Sequence, residues 1–217
     1  GSSGDTFPQD LQELQSYFSG TRSDTDVKAV PGAGLSVPLY LLGSSDFSAR
    51  LAAGLGLPFA FASHFAPEYL HVALELYRRD FKPSATLAQP HVIVGAGVYA
   101  ADSDAEAHRL FTSAQLMTLN LIRGHPGELP PPVDSMEGYW SPMEERALRQ
   151  RTRYSAVGSL QTVRQRLDAM IDATAADEVI VVAQIQDHAA RLRSFEIAAQ
   201  AFREIDAARS TAVSWRA

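Results

Sequence analysis

Apolar residues recur along the chain in two alternating rhythms. Phe7, Leu11, Leu14 and Phe18 stand at helical spacing, with Pro8 suited to a first turn and Gly20 to a stop, so the chain is expected to open with a helix. Residues 20–36 are rich in Gly, Ser, Thr, Asp and Pro and read as a loop. Residues 37–42 form an almost continuous apolar run, which predicts a strand buried on both faces, as in parallel sheets. Ser44-Ser45-Asp46 then opens a helix with Phe47, Leu51 and Leu55 on one side, ended by Gly54 and Gly56 ahead of Pro58. A short strand is expected over residues 59–62.

Pro67 begins a third helix carrying Leu70, Leu74 and Tyr77, and residues 92–100 are apolar enough for a third strand. Ser103 and Glu106 stand at capping-box spacing before a helix with Leu110, Phe111, Leu116 and Leu119 on its buried stripe. Residues 123–142, with Pro130-Pro131-Pro132, read as a Gly/Pro-rich connection, expected to be a mobile rim loop that orders over a ligand. A helix from Ser159 buries Leu160, Val163, Leu167, Met170 and Ile171. Residues 179–183 give the fourth strand and residues 185–207 the closing helix. Strands alternating with helices imply right-handed crossovers and a parallel sheet covered by helices. The expected layout is one α/β domain over residues 7–207, after a leading segment 1–6 whose Gly-Ser-Ser-Gly has the look of a cloning remnant or loop, and before a frayed tail at 208–217.

Composition narrows the classes. With 46% hydrophobic and 20% charged residues and a net charge of −6, the 217-residue chain fits ordinary globular proteins, and a nucleic-acid surface is not expected. No apolar run is long enough to span a membrane and no signal-peptide pattern opens the chain, so the expectation is a cytoplasmic protein without membrane contact. Zero cysteines exclude disulfides, thiolate nucleophiles and Cys-ligated metals. Redox chemistry would then need a bound cofactor.

Candidate chemistry concentrates where strands end. Gly43-Ser44-Ser45 with Ser48 turns a buried strand directly into a helix whose unpaired N–H groups and hydroxyls suit an anion such as phosphate, although spacing alone favours a plain helix cap. Ser63 and His64 follow the next strand and fall on the same rim, because parallel strands present their C-terminal ends to one side. Taken alone, a loop histidine is more often a hydrogen-bonded surface residue. Gly95-Ala96-Gly97 and Ala100 fit the loose G-x-G-x-x-A pattern, but the glycines lie inside the apolar run and no acid follows at the right distance, so strand glycines that relieve crowding are expected instead. Asp187 reads as a helix cap, not as the partner of His188. No H-E-x-x-H, acidic metal cluster or G-x-S-x-G occurs, so no metal site is expected.

Residues 37–53 (VPLYLLGSSDFSARLAA), 54–65 (GLGLPFAFASHF) and 187–195 (DHAARLRSF) together resemble the bacterial luciferase-like monooxygenase family of flavin-dependent oxidoreductases, with similarity from about residue 7 to residue 202. The resemblance implies an eight-stranded β/α barrel of the TIM type, of which this chain carries about the C-terminal four βα units. It implies reduced FMN and O₂ as co-reactants in oxygenating a small organic substrate. The family's flavin phosphate is held by hydroxyls after the fifth strand, at positions matching Ser45 and Ser48, with Ser44 beside them where the luciferases place an acid. Ser63 and His64 match the end of the sixth strand, which runs past the flavin ring. The family's catalytic groups belong to the first four strands, so the resemblance names no catalytic residue here. A non-catalytic flavin-binding or degenerate half-barrel and a deazaflavin-dependent reductase remain open. The resemblance further implies that the chain by itself is inactive and forms a homo-oligomer or associates with an N-terminal half.

Overall fold

The structure, a computed structural model, describes residues 6–19, 27 and 29–214, with side chains as far as residue 210. The expectations for residues 1–4, for Gly20 and for residues 215–217 lie outside the described residues. The chain divides into two compact units, Gly1–Tyr40 and Leu41–Ala217. In the first, helix α1 (Phe7–Ser19) buries only Leu11 of its expected stripe, and the Gly34 N–H donates to the Phe18 carbonyl at 2.9 Å, closing a turn onto the helix end.

The second unit is a five-stranded parallel sheet with helices following its strands: β1 (Leu41–Gly43), α2 (Asp46–Leu55), β2 (Phe59–Phe61), α3 (Leu70–Asp80), β3 (Val92–Ala100), α4 (Asp104–Ile122), α5 (Pro142–Arg151), β4 (Ser155–Gly158), α6 (Leu160–Thr174), β5 (Glu178–Val182) and α7 (His188–Ser214). The alternation fits the β/α barrel wall that the resemblance implies. All nine residues of β3 are buried. It pairs with β2 through Val92–Val94, with β5 through Ile93–Gly97 and with β4 through Gly97–Ala100. Because a strand has only two edges, β2 and β4 lie end to end along one edge and β5 takes the other.

Register assigns the faces. Leu41, Phe59 and Val92 align across three strands, so Phe59, Phe61, Val92, Val94, Ala96 and Val98 share one face. That face meets the helices: Phe59 lies 5.3 Å from the Tyr77 ring of α3 and 6.1 Å from Phe61. Tyr77 is fully buried, its hydroxyl donating to the Leu57 carbonyl at 2.8 Å and accepting from the His91 N–H at 3.1 Å. Ser194 of α7 secures the far end of β3, accepting from Ala100 N–H at 2.9 Å and donating to the Val98 carbonyl at 3.2 Å. The opposite face carries Leu42, Ala60, Ile93, Gly95, Gly97, Tyr99, Ile180 and Val182. Part of it is open, since Leu42 is 67% and Ile180 51% exposed.

Four expectations need correction. The run at residues 37–42 is a strand only from Leu41, because the three-residue β2 sets the length of the ladder and Pro38 has no N–H to give; Val37 and Tyr40 are exposed. As an edge strand with a single neighbour, β1 is not buried on both faces. The sheet has five strands, not four, because α5 and β4 occupy residues 142–158, between the expected connection and the helix from Ser159, where no element was expected. The β4 segment offers one large apolar residue, Val157, and α5 buries only Leu148, so neither shows periodicity, yet Ser141, Pro142 and Glu144 form a complete capping box with Pro at its start. Finally, residues 208–214 continue α7 instead of fraying, with Arg209 bonded to Asp168 at 2.6 Å and Asp172 at 2.6 Å on α6.

Replacing Tyr77 by Phe leaves the Leu57 carbonyl and the His91 N–H without their partner, and should cost about 1–3 kcal/mol. Urea denaturation of Tyr77→Phe against the parent chain measures this; an unchanged midpoint would mean that water replaces the hydroxyl.

Candidate functional site

The C-terminal ends of β1 and β2 carry the predicted polar residues, and a direct bond joins their turns: Ala62 N–H donates to the Gly43 carbonyl at 3.0 Å. Ser45 caps α2 in a reciprocal box with Ser48, each side chain accepting from the other's backbone N–H at 3.4 Å, while Ser48 Oγ also donates to the Ser45 carbonyl at 2.8 Å. Ser45 is exposed and Ser44 half-buried; Ser48 is buried. Glycine is required at 43, since a Cβ there would stand 2.1 Å from Ser48 Oγ. The capping role is thus realised, and the exposed Ser45 hydroxyl remains at the rim.

Ser63 has a different place. It is fully buried and its hydroxyl donates to the Gly95 carbonyl of β3, so it anchors the turn. His64 is thereby set across β3, where a Cβ on Gly95 would meet its Nδ1 at 2.3 Å. The strand glycines therefore relieve crowding, as their position in the apolar run predicts. Although His64 keeps an exposed edge, contact with the strand strips part of its hydration and lowers its pKa from the ordinary imidazole value of 6.5. It makes no hydrogen bond with any described residue.

His64 lines a cavity of about 380 Å³ over the inner face of the sheet. Gly97, Tyr99, Ser155 and Val182 form its floor, and Gln184 follows at the end of β5. Helix α4 supplies Ala114, Met117, Thr118 and Leu121, and Pro126 and Gly127 come from the following connection. Arg151 and Thr152, at the end of α5, complete the wall. Burial pushes the Tyr99 phenol up, against a smaller opposing effect of the Gln184 backbone N–H, so it stays a neutral hydroxyl; its ring centroid lies 4.6 Å from that of Phe111. The cavity gathers His64 but not Ser44, Ser45 or Ser48, which lie beside it along the rim.

The connection expected to be a loose lid is tied down over much of its length. Thr112 Oγ1 exchanges hydrogen bonds with both backbone groups of Val133, Met136 is buried with Leu119 and Leu148, and Arg123 spans to the Tyr139 carbonyl and the Glu144 carboxylate. Arg123 and the Ser141 cap hold the Glu144 pKa down at about 2. Neither β4 nor α5 was legible beforehand, so Arg151, Thr152 and Ser155 were missed as cavity residues; the Ser141–Glu144 box was the signal that could have placed them.

A parallel β/α barrel wall with its cavity at the C-terminal strand ends defines a class of barrel enzymes that build their sites on that rim. Within it, residues 11–200 match the family described as luciferase-like monooxygenase, and the chain belongs to that family. An Escherichia coli K12 protein described as a luciferase-like monooxygenase is 50% identical over 194 residues, covering 89% of this chain and 58% of the relative. YvbT of Bacillus subtilis, described as uncharacterized, is 45% identical over 202 residues, or 93% of this chain and 60% of its own. The solved structure of apo-MsnO8 shares 32% identity at a TM-score of 0.76, covering 93% of this chain and 61% of that one. The chain thus spans about three fifths of the length of the relatives it matches. Among the described residues, no helix is long and apolar enough to cross a membrane.

The lowered pKa of His64 has a signed consequence. The unfolded chain takes up the proton near 6.5 while the folded chain resists it, so His64 costs nothing well above that pH and destabilises the fold progressively as the pH falls below 6.5. Urea midpoints at about pH 7.5 and about pH 5 should therefore drop more in the parent chain than in His64→Gln. Equal drops in both would place the His64 ring in full solvent.

Proposed function

We propose that this chain provides the flavin-holding wall of a luciferase-like monooxygenase that uses reduced FMN and O₂ to oxygenate a small organic substrate. The observation that carries the reading is the bond between Ala62 and Gly43, which fixes a hydroxyl-rich helix start beside a partly apolar cavity on one barrel rim, in a chain of this family. The residues fit the cofactor. Ser44, Ser45 and the first N–H groups of α2 would hold the phosphate, with the macrodipole favouring its charge. Ser48, seated on Gly43, sets the orientation of the turn. His64, neutral at physiological pH and without a described partner, offers a donor and an acceptor to the flavin ring. Bound there, reduced FMN would supply the two electrons that activate O₂, one oxygen going to the substrate and the other leaving as water. Met117, Leu121, Phe65 and Val182 give that part of the cavity its apolar side.

The same reading assigns a cover to the inner face, open at Leu42 and Ile180, and to the edges at β1 and β5: a complementary half-barrel or a second copy of the chain. The sheet edges alone are reason enough for such a partner. The first four strands expected in a complete barrel would bring the groups that carry the reaction itself.

Replacing Ser45 and Ser48 together by Ala should weaken FMN binding about tenfold or more, since the Ser45 hydrogen bond to a charged group contributes ~1.5–3 kcal/mol and the turn that aims it loses Ser48. Fluorescence titration of FMN reads the affinity, and a thermal melt separates out the roughly 1 kcal/mol cost of losing the cap on α2. An unchanged dissociation constant in the double variant would remove the phosphate assignment.

A further inference from the structure

We infer that the cavity beside His64 selects a substrate bearing a carboxylate, and that Arg151 binds it. The inference rests on the flavin reading only in taking the cavity as the place where substrate meets the cofactor. Among the cavity's lining residues, Arg151 is the one permanently charged side chain, and no carboxylate lies among them to neutralise it. Nor does it pair elsewhere: Arg151 makes no hydrogen bond or ion pair with any described residue. Its neighbours differ in this respect. Arg149, two residues before it, is bound to Glu145 at 2.7 Å, Arg123 across the same helix to Glu144 at 2.8 Å, and Arg153 to the Pro67 carbonyl and the face of Tyr154. An unpaired arginine on the wall of a cavity whose lining holds no carboxylate is a group open to an anion.

The surroundings indicate which anion. Ser155 Oγ and the Gln184 amide, both in the lining, also make no hydrogen bond with any described residue, and each can donate. Thr152 gives its hydroxyl proton to the Leu148 carbonyl at 2.9 Å, which keeps the Arg151 backbone at a defined helix end. Against these donors stand the apolar side chains of Phe65, Met117, Leu121 and Val182. One charged fork with two neutral donors on an otherwise apolar wall fits a planar carboxylate on a hydrocarbon or aromatic body, since the guanidinium matches a carboxylate with two parallel bonds. A flavin phosphate is the other possible source of the charge, but the serine turn that suits it lies outside this lining.

The test uses benzoate and benzamide, which share a shape and differ in charge, titrated calorimetrically into the 217-residue chain. Benzoate should bind about tenfold more tightly than benzamide, and raising the salt should narrow the gap. In Arg151→Met the preference should vanish, in Arg151→Lys it should persist in part, and in the surface control Arg146→Met it should be unchanged. FMN affinity should stay unaltered in all three variants, which separates this inference from the flavin assignment. The inference is overturned if the parent chain does not prefer benzoate or binds neither probe, or if the preference survives in Arg151→Met. It is equally overturned if Arg151→Met weakens FMN while leaving benzoate alone. A lower melting temperature in Arg151→Met with an intact preference would assign the residue to the negative end of α5 and likewise end the proposal.

Discussion

The missing Cβ atoms on the inner face of β3 are the constraint from which the site follows. Three of the sheet's four strand pairings run through β3, and both its faces are buried, so its backbone is the fixed reference for the rim. Toward the helices it presents Val92, Val94, Ala96 and Val98, which fill space. Toward the cavity it presents Gly95 and Gly97, which leave it. His64 occupies the room above Gly95, and Ser155 with the ring of Tyr99 crowds the room above Gly97, where a Cβ would stand 2.9 Å from Ser155 Oγ. Valines and an alanine on one face and two glycines between Ile93 and Tyr99 on the other thus make a stable wall and a cavity from a single strand.

The rim around that cavity is held by side-chain bonds to backbone more than by regular structure. Ser63 ties the β2 turn to Gly95, and Thr112 ties the long connection to α4 through Val133. The Asp104 carboxylate accepts from the Ser159 N–H at 2.6 Å and the Thr162 hydroxyl at 2.9 Å, locking the start of α6 to the start of α4 and lowering its own pKa. Each such bond satisfies a backbone or hydroxyl group that a bare turn would leave to solvent. The result is a rim fixed enough to position His64 and Arg151 while the opposite, β1 side of the inner face stays uncovered.

Much of this was legible in the sequence. Strand β3 has the predicted bounds because its nine residues are all apolar or glycine, α2 and α4 follow their capping serines, and α6 begins after Ser159 as expected. The Ser45–Ser48 turn and His64 were located on one rim by the parallel topology alone. What escaped was set by tertiary context. Residues 37–40 have the composition of a strand but no ladder partner, and the four-residue β4 owes its existence to the free upper edge of β3, not to its own pattern. Ser63 stands beside His64 in the sequence, but the fold buries its hydroxyl on the Gly95 carbonyl, a contact only the tertiary structure shows. Arg151 could not be singled out among the arginines of 146–153, because what distinguishes it is its place in the cavity lining, a property of the fold.

The seating of His64 on Gly95 is the central claim, and NMR titration of the His64 ring in the parent chain and in Gly95→Ala tests it most directly. Alanine suits a strand at least as well as glycine, so the sheet should persist. The parent ring should titrate below 6.5, and the added methyl should push the imidazole off the strand into water and bring its pKa back toward 6.5. The same depressed value in both proteins would contradict the account, since the ring would then owe its environment to something other than the bare backbone of β3.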